Sequence, residues 1–154
     1  MVRAMSWEHS ETVEIAASPT QVYDAVSRLE RMGEWSPENQ GGVWISGDGT
    51  NVGDQFEGNN ALGDRTWTAM AEVVRCDPGE AFCFTVGDLA NPVAEWGYHL
   101  EPSDTGTTVT ETWKMTQLPP TLVDAPAERV QGRADMVAEG MATTLANLKA
   151  SLES

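Results

Sequence analysis

GTTVTETWKM, residues 106–115, reads as a β-strand with one discordant member. Val109, Glu111, Trp113 and Met115 fall on one side of a pleated strand, and Thr108, Thr110, Thr112 and Lys114 on the other. The apolar row is the one that faces an interior, so Glu111 is carried inward with it. Shifting the frame by one residue would instead turn the threonines and Lys114 inward, which is worse.

Working back from this strand, the chain is a succession of strands and turns. VAEWGYHL (93–100) precedes it across Pro102-Ser103-Asp104, and AFCFTVG (81–87) precedes that across Asn91-Pro92. RTWTAMAEVVRC (65–76) ends at the turn signal Asp77-Pro78-Gly79. DQFEGNNAL (54–62) and VWIS (43–46) lie before it, separated by GDGTNVG. Successive hairpins of this kind predict an antiparallel sheet. ETVEIAA (11–17) supplies a first strand, and residues 1–10 are expected to form a loose tail.

Two stretches have the helical period instead. SPTQ (18–21) is a capping box, with Ser18 as N-cap, Pro19 at the first helical position and Gln21 at the third. Val22, Val26, Leu29 and Met32 follow at helical spacing until Gly33. Beyond Pro119-Pro120, with Asp124 and Pro126 where a helix would begin, Val130, Ala134, Val137, Met141, Leu145, Leu148 and Leu152 recur every three or four residues. They predict one long amphipathic helix. The expected fold is α+β: a curved antiparallel sheet of about seven strands around a long C-terminal helix, with one or two short helices after the first strand. It occupies residues 1–154 as one domain.

The composition excludes several functions. A net charge of −15, from 24 acidic and 9 basic residues, opposes binding to nucleic-acid phosphates and to anionic membranes. No apolar run is long enough to span a membrane, and MVRAMSWEHSE lacks a signal-peptide core, so a cytoplasmic location is expected. Cys76 and Cys83 are read as reduced, small apolar residues. GDGTNVG joins two strands, whereas a dinucleotide fingerprint joins a strand to a helix. It also has Thr50 and Val52 where a calcium loop has ligands. P-loop and nucleophile-elbow motifs are absent, and His9, assigned to the tail, and His99, assigned outward, form no metal cluster. No cofactor and no metal is expected.

The inward rows define an aromatic interior: Trp67, Phe82, Phe84, Trp96, Tyr98, Val109, Trp113 and Met115, with Asn60 and Glu111 as polar exceptions. Residues 65–74 read less cleanly, because Met70 and Val74 interrupt the polar side of the Trp67, Ala69, Ala71, Val73 row. The facing of Trp44 is undecided. Such an interior is either a solid core or the wall of a small-molecule pocket. Glu111 favours the pocket, because a carboxylate in a dry core is costly unless paired and no basic residue is expected inward beside it.

The chain is identified as resembling the START-like, or SRPBCC, superfamily in its polyketide cyclase/dehydrase group. The resemblance runs through SPTQVYDAVSRLERMGEW (18–35), WSPE (35–38), VGDQFEGNN (52–60), RTWTAMAEVVRCDPGEAFCFTV (65–86), VTETW (109–113) and EGMATTLANLKASLE (139–153). It implies the helix-grip fold and a cavity between inner sheet face and helix. By that logic Trp35 and Glu38 lie near its mouth, and Met136, Gly140 and Thr144 flank the helix's inward stripe. Gly140, costly inside a helix by about 1 kcal/mol relative to alanine, either leaves room for a ligand or permits close helix–sheet packing.

Members of the superfamily include lipid and sterol carriers, hormone receptors and aromatase/cyclases, so the resemblance does not fix function. Three readings follow. One is a binding or carrier protein for a small hydrophobic, aromatic, lipid-like or polyketide-like molecule, walled by Trp67, Phe84, Trp96, Tyr98 and Trp113 and anchored by Asn60 and Glu111. A second is a cyclase, dehydratase or hydrolase with Glu111 as general acid/base, its pKa raised by desolvation, and Asn60 or Tyr98 steadying an enolate oxygen. The third is a partner-regulated module or dimer without a ligand. Either a monomer or a homodimer fits the sequence.

Overall fold

In a computed structural model, which describes residues 7–154, the strands pair as one seven-stranded antiparallel sheet. They are β1 (Glu8–Ile15), β2 (Asn39–Ser46), β3 (Gln55–Leu62), β4 (Arg65–Asp77), β5 (Ala81–Asp88), β6 (Asn91–Ser103) and β7 (Gly106–Met115). Their order is β1-β7-β6-β5-β4-β3-β2. The hairpins from β2 to β7 put sequence neighbours side by side, and β1 closes against β7 as a long-range pair. Helix α1 (Pro19–Val26) follows β1, and helix α2 (Ala127–Glu153) lies against the sheet's inner face. This is the helix-grip arrangement.

The capping box forms as its residue types require. Ser18 Oγ accepts the Gln21 backbone N–H at 3.2 Å, and the Gln21 side chain accepts the Ser18 N–H at 2.9 Å. The helix ends at Ser27, earlier than the spacing up to Gly33 suggests. Arg28 leaves helical geometry (φ −95°, ψ 83°), and residues Leu29–Glu34 continue as a short 3-10 helix. Leu29 and Met32 still reach the core, because the break re-aims the chain without exposing its apolar positions.

One expectation at the sheet edge is corrected. β1 begins at Glu8, so residues 8–10 belong to the sheet and His9 to a strand; the carbonyl of Trp7, just before it, accepts from the Met115 N–H at 2.8 Å, and residues 1–6 lie outside the described residues. In β4 the pairing runs from Val73↔Phe84 to Arg75↔Cys83, leaving Val74 as the extra residue of a bulge. That insertion explains the untidy alternation of 65–74: Val74 is exposed and Cys76 turns back inward, packed against the core. Val43 and Ile45 face water, so Trp44 faces in, where it meets Phe56 edge-on at 5.1 Å and donates to Glu30 at 2.7 Å.

The core divides beneath α2. Ile15, Val22, Val26, Trp35, Phe82, Val109, Leu145 and Leu148 fill one end. Trp113, Ala94, Ala134, Val137 and Met141 make a smaller cluster at the other, with Met115 partly buried beside it. Between these packed regions residues of the sheet and of α2 border open space.

Candidate functional site

The space left between sheet and helix is a cavity of about 180 Å³. Its sheet wall comes from alternate residues of five neighbouring strands: Gly58 and Asn60 of β3, Trp67 and Ala69 of β4, Phe84 of β5, Trp96 and Tyr98 of β6, and Glu111 of β7. The helix wall is Arg133, Met136, Gly140 and Thr144, and Pro37, Glu38 and Asn39 close one side. The interior is hollow here because one helix cannot cover seven strands.

Glu111 and Tyr98 stand opposite each other in the β6–β7 register. Tyr98 donates its hydroxyl proton to Glu111 Oε2 at 3.0 Å, and its oxygen also lies 3.7 Å from Met32 Sδ. Glu111 is 3 % exposed, and its second oxygen, Oε1, is buried without a hydrogen-bond partner. Burial pushes the carboxyl up to about 8; the Tyr98 hydrogen bond opposes this, and the charge of Glu11, paired with Glu111 across β1 and β7, adds to it. Burial and the neighbouring carboxyl likewise hold the Tyr98 phenol well above its ordinary value. Near neutral pH Glu111 is therefore mostly an uncharged acid, able to donate from one oxygen while accepting at the other.

Ten of the residues placed at a cavity from sequence line it: Glu111, Tyr98, Trp96, Phe84, Trp67, Asn60, Glu38, Met136, Gly140 and Thr144. Two do not. Trp35 is 1 % exposed and faces the core, because the 3-10 helix folds its ring inward; its carbonyl accepts from Asn147 of α2 at 2.9 Å, and its Nε1 has no partner. Trp113 shares the face of Glu111, but α2 crosses directly over it with Ala134, Val137 and Met141, so packing replaces open space. A β-carbon on Gly140 would meet only Pro37 Cγ, at 3.7 Å, so close helix–sheet packing is not the reason for that glycine.

Sequence reasoning missed Arg133. It reaches the cavity from α2 and binds Glu38 through both terminal nitrogens, Nη1 at 3.1 Å and Nη2 at 2.5 Å. As a polar residue beside a helix's apolar stripe, it resembles any solvent-facing arginine until the Pro37–Glu38 segment is brought against it. Among the described residues no group of three potential ligands is placed to hold a metal ion. No helix among them is long and apolar enough to cross a membrane.

The model of the polyketide cyclase/dehydrase and lipid transport family matches residues 6–153. The chain belongs to that family. A polyketide cyclase-like protein from Corynebacterium glutamicum is 31% identical over 98% of this chain and 94% of its own, with a TM-score of 0.70. The di-domain ARO/CYC StfQ of the steffimycin biosynthetic pathway superposes with a TM-score of 0.77 at 15% identity, covering 96% of this chain and 51% of StfQ. A Nitrosomonas europaea protein gives 0.70 at 16% identity, covering 92% and 91% of the two chains. The last two likenesses concern the fold alone. No curated protein matches the chain. This cyclase/dehydrase-family chain thus has its family's curved sheet and long helix, with a neutral acid set deep between them.

Proposed function

We propose that the protein binds a small, largely apolar molecule, aromatic, lipid-like or polyketide-like, in the cavity beneath α2. One observation carries the reading: Glu111 Oε1 is buried and unpartnered on a wall that also carries Trp67, Phe84, Trp96 and Tyr98. A buried polar atom without a partner costs about 1–3 kcal/mol, and a ligand carbonyl or hydroxyl at this oxygen would recover it. The size is consistent, since an apolar cavity of about 150 Å³ accepts benzene. Trp67, Phe84 and Trp96 supply flat apolar surface for a ring or chain.

The test is native mass spectrometry of the purified protein with solvent extraction, followed by thermal-shift screening of a hydrophobic library. Bound material, or compounds whose stabilisation Glu111→Gln weakens, supports the reading. An empty protein that no compound stabilises overturns it.

A second reading is favoured by the same carboxyl. An acid titrating near 8 is matched to general acid/base work at neutral pH, as cyclisation or dehydration of a polyketide-like substrate requires. Glu111 would move a proton at a carbon next to a carbonyl, with Tyr98 holding its other oxygen in place. Turnover of any substrate found should then disappear in Glu111→Gln while binding survives; undiminished turnover removes the catalytic role.

A further inference from the structure

Arg133 is the one basic side chain lining the cavity among the described residues. Its partner Glu38, from the segment just before β2, also lines the cavity, so the ion pair ties α2 to that segment at the cavity wall. Both side chains remain partly open to water, 30% exposed for Arg133 and 24% for Glu38. The guanidinium of Arg65 stacks on Trp67, 4.9 Å from the ring centroid, and Trp67 itself lines the cavity. Arg129 precedes Arg133 by four residues on α2, one turn away on the same side. Neither Arg65 nor Arg129 has an ion-pair partner among the described residues. Arg133 thus lines the cavity, Arg65 lies over a cavity-lining ring and Arg129 one helical turn from Arg133, in a chain of net charge −15 with nine basic residues. The acids nearest in sequence are Asp64 beside Arg65 and Glu128 beside Arg129, both exposed.

We propose that the molecule bound in the cavity is an amphiphile with a carboxylate, which replaces Glu38 on Arg133 while its apolar body lies along Trp67, Phe84 and Trp96. This rests on the binding reading and narrows it to a ligand class. Glu38 is an internal carboxylate already seated in the fork of Arg133, so the geometry that recognises a carboxylate is preformed. Exchanging one carboxylate for another keeps the guanidinium paired and avoids the cost of stranding its charge. The displaced Glu38 turns to solvent, to which it is already partly open. Arg65 and Arg129, which have no ion-pair partner among the described residues, offer two further cationic side chains to an approaching anion.

Isothermal titration of ω-phenylalkanoates of graded chain length, and of their methyl esters, tests this in wild type, Arg133→Gln, Arg133→Lys and Glu38→Gln. Thermal unfolding first verifies that each variant is folded. The best acid is expected to bind wild type about tenfold or more tighter than its ester at low salt. Arg133→Gln should erase that preference, with Arg133→Lys in between. Glu38→Gln, by removing the competing carboxylate, should tighten the acid about tenfold. Equal affinity for acid and ester, or an acid preference that survives Arg133→Gln, overturns this inference and leaves the binding reading standing. Failure of every acid and ester to bind wild type overturns both.

Discussion

Tyr98 and Glu111 face one another across β6 and β7, 3.0 Å apart, and the bond between them uses only one of the two carboxyl oxygens. The pH dependence of stability follows. The folded-state pKa of about 8 lies above the ordinary 4.5, so between these values the folded state holds a proton that the unfolded state has lost. The contribution of Glu111 is fully present below the unfolded value and is lost as pH rises through the folded one. Wild type should therefore lose about 3 kcal/mol relative to Glu111→Gln between about pH 6 and pH 9. Chemical denaturation of both proteins across this range measures it; parallel curves would rule out the raised pKa.

Two neighbours tune the same carboxyl in opposite directions. Tyr98→Phe removes the hydrogen bond that holds the pKa down, so the titration should move further up, at a stability cost of about 1–3 kcal/mol for the lost buried bond. Glu11→Gln removes a charge opposite Glu111 on β1 and should move it down. The infrared band of the protonated carboxyl, followed against pH, reports both shifts.

Gly140 separates helix stability from cavity shape. Gly140→Ala places its methyl group in ordinary contact with Pro37 and should stabilise α2 by about 1 kcal/mol. Gly140→Leu extends into the cavity and should weaken any ligand about tenfold or more while the protein stays folded. Melting temperatures and titrations on the same pair distinguish the two effects; a Gly140→Ala protein that melts lower would disprove the open-space account.

The loop joining β2 and β3 depends on one buried carboxylate. Asp54 Oδ2 accepts backbone N–H bonds from Asp48 at 3.2 Å, Gly49 at 3.0 Å and Asn51 at 3.1 Å. Asp54→Ala should destabilise by about 2–4 kcal/mol, since it strands several donors at once, and Asp54→Asn should cost less because its amide keeps one acceptor oxygen. Equilibrium unfolding at neutral pH gives both values.

The residues that sequence placed well are those decided by local pattern. A strand's two-residue period turns Glu111 to the same face as Val109 and Trp113 whatever lies above it, and the capping box at Ser18 and Gln21 needs only its own turn. Likewise Val130, Val137, Met141 and Leu148 mark the buried stripe of α2 by spacing alone. The bulge at Val74 was visible only as disturbed alternation.

What lay beyond reach depends on which distant elements touch. Trp96 and Trp113 pair directly across β6 and β7 with their rings 6.3 Å apart, yet only Trp96 lines the cavity. The crossing of α2 decides this, and no local period encodes a crossing. Trp35 was drawn into the core by a 3-10 turn, and Arg133 was set at the cavity wall by meeting Glu38, 95 residues earlier in the chain. The sequence by itself determined the elements, their inward faces and the buried acid, because those follow from side-chain alternation along each element. The tertiary structure alone decided which part of that inward surface is packed and which is open, because that depends on where one helix lies across seven strands.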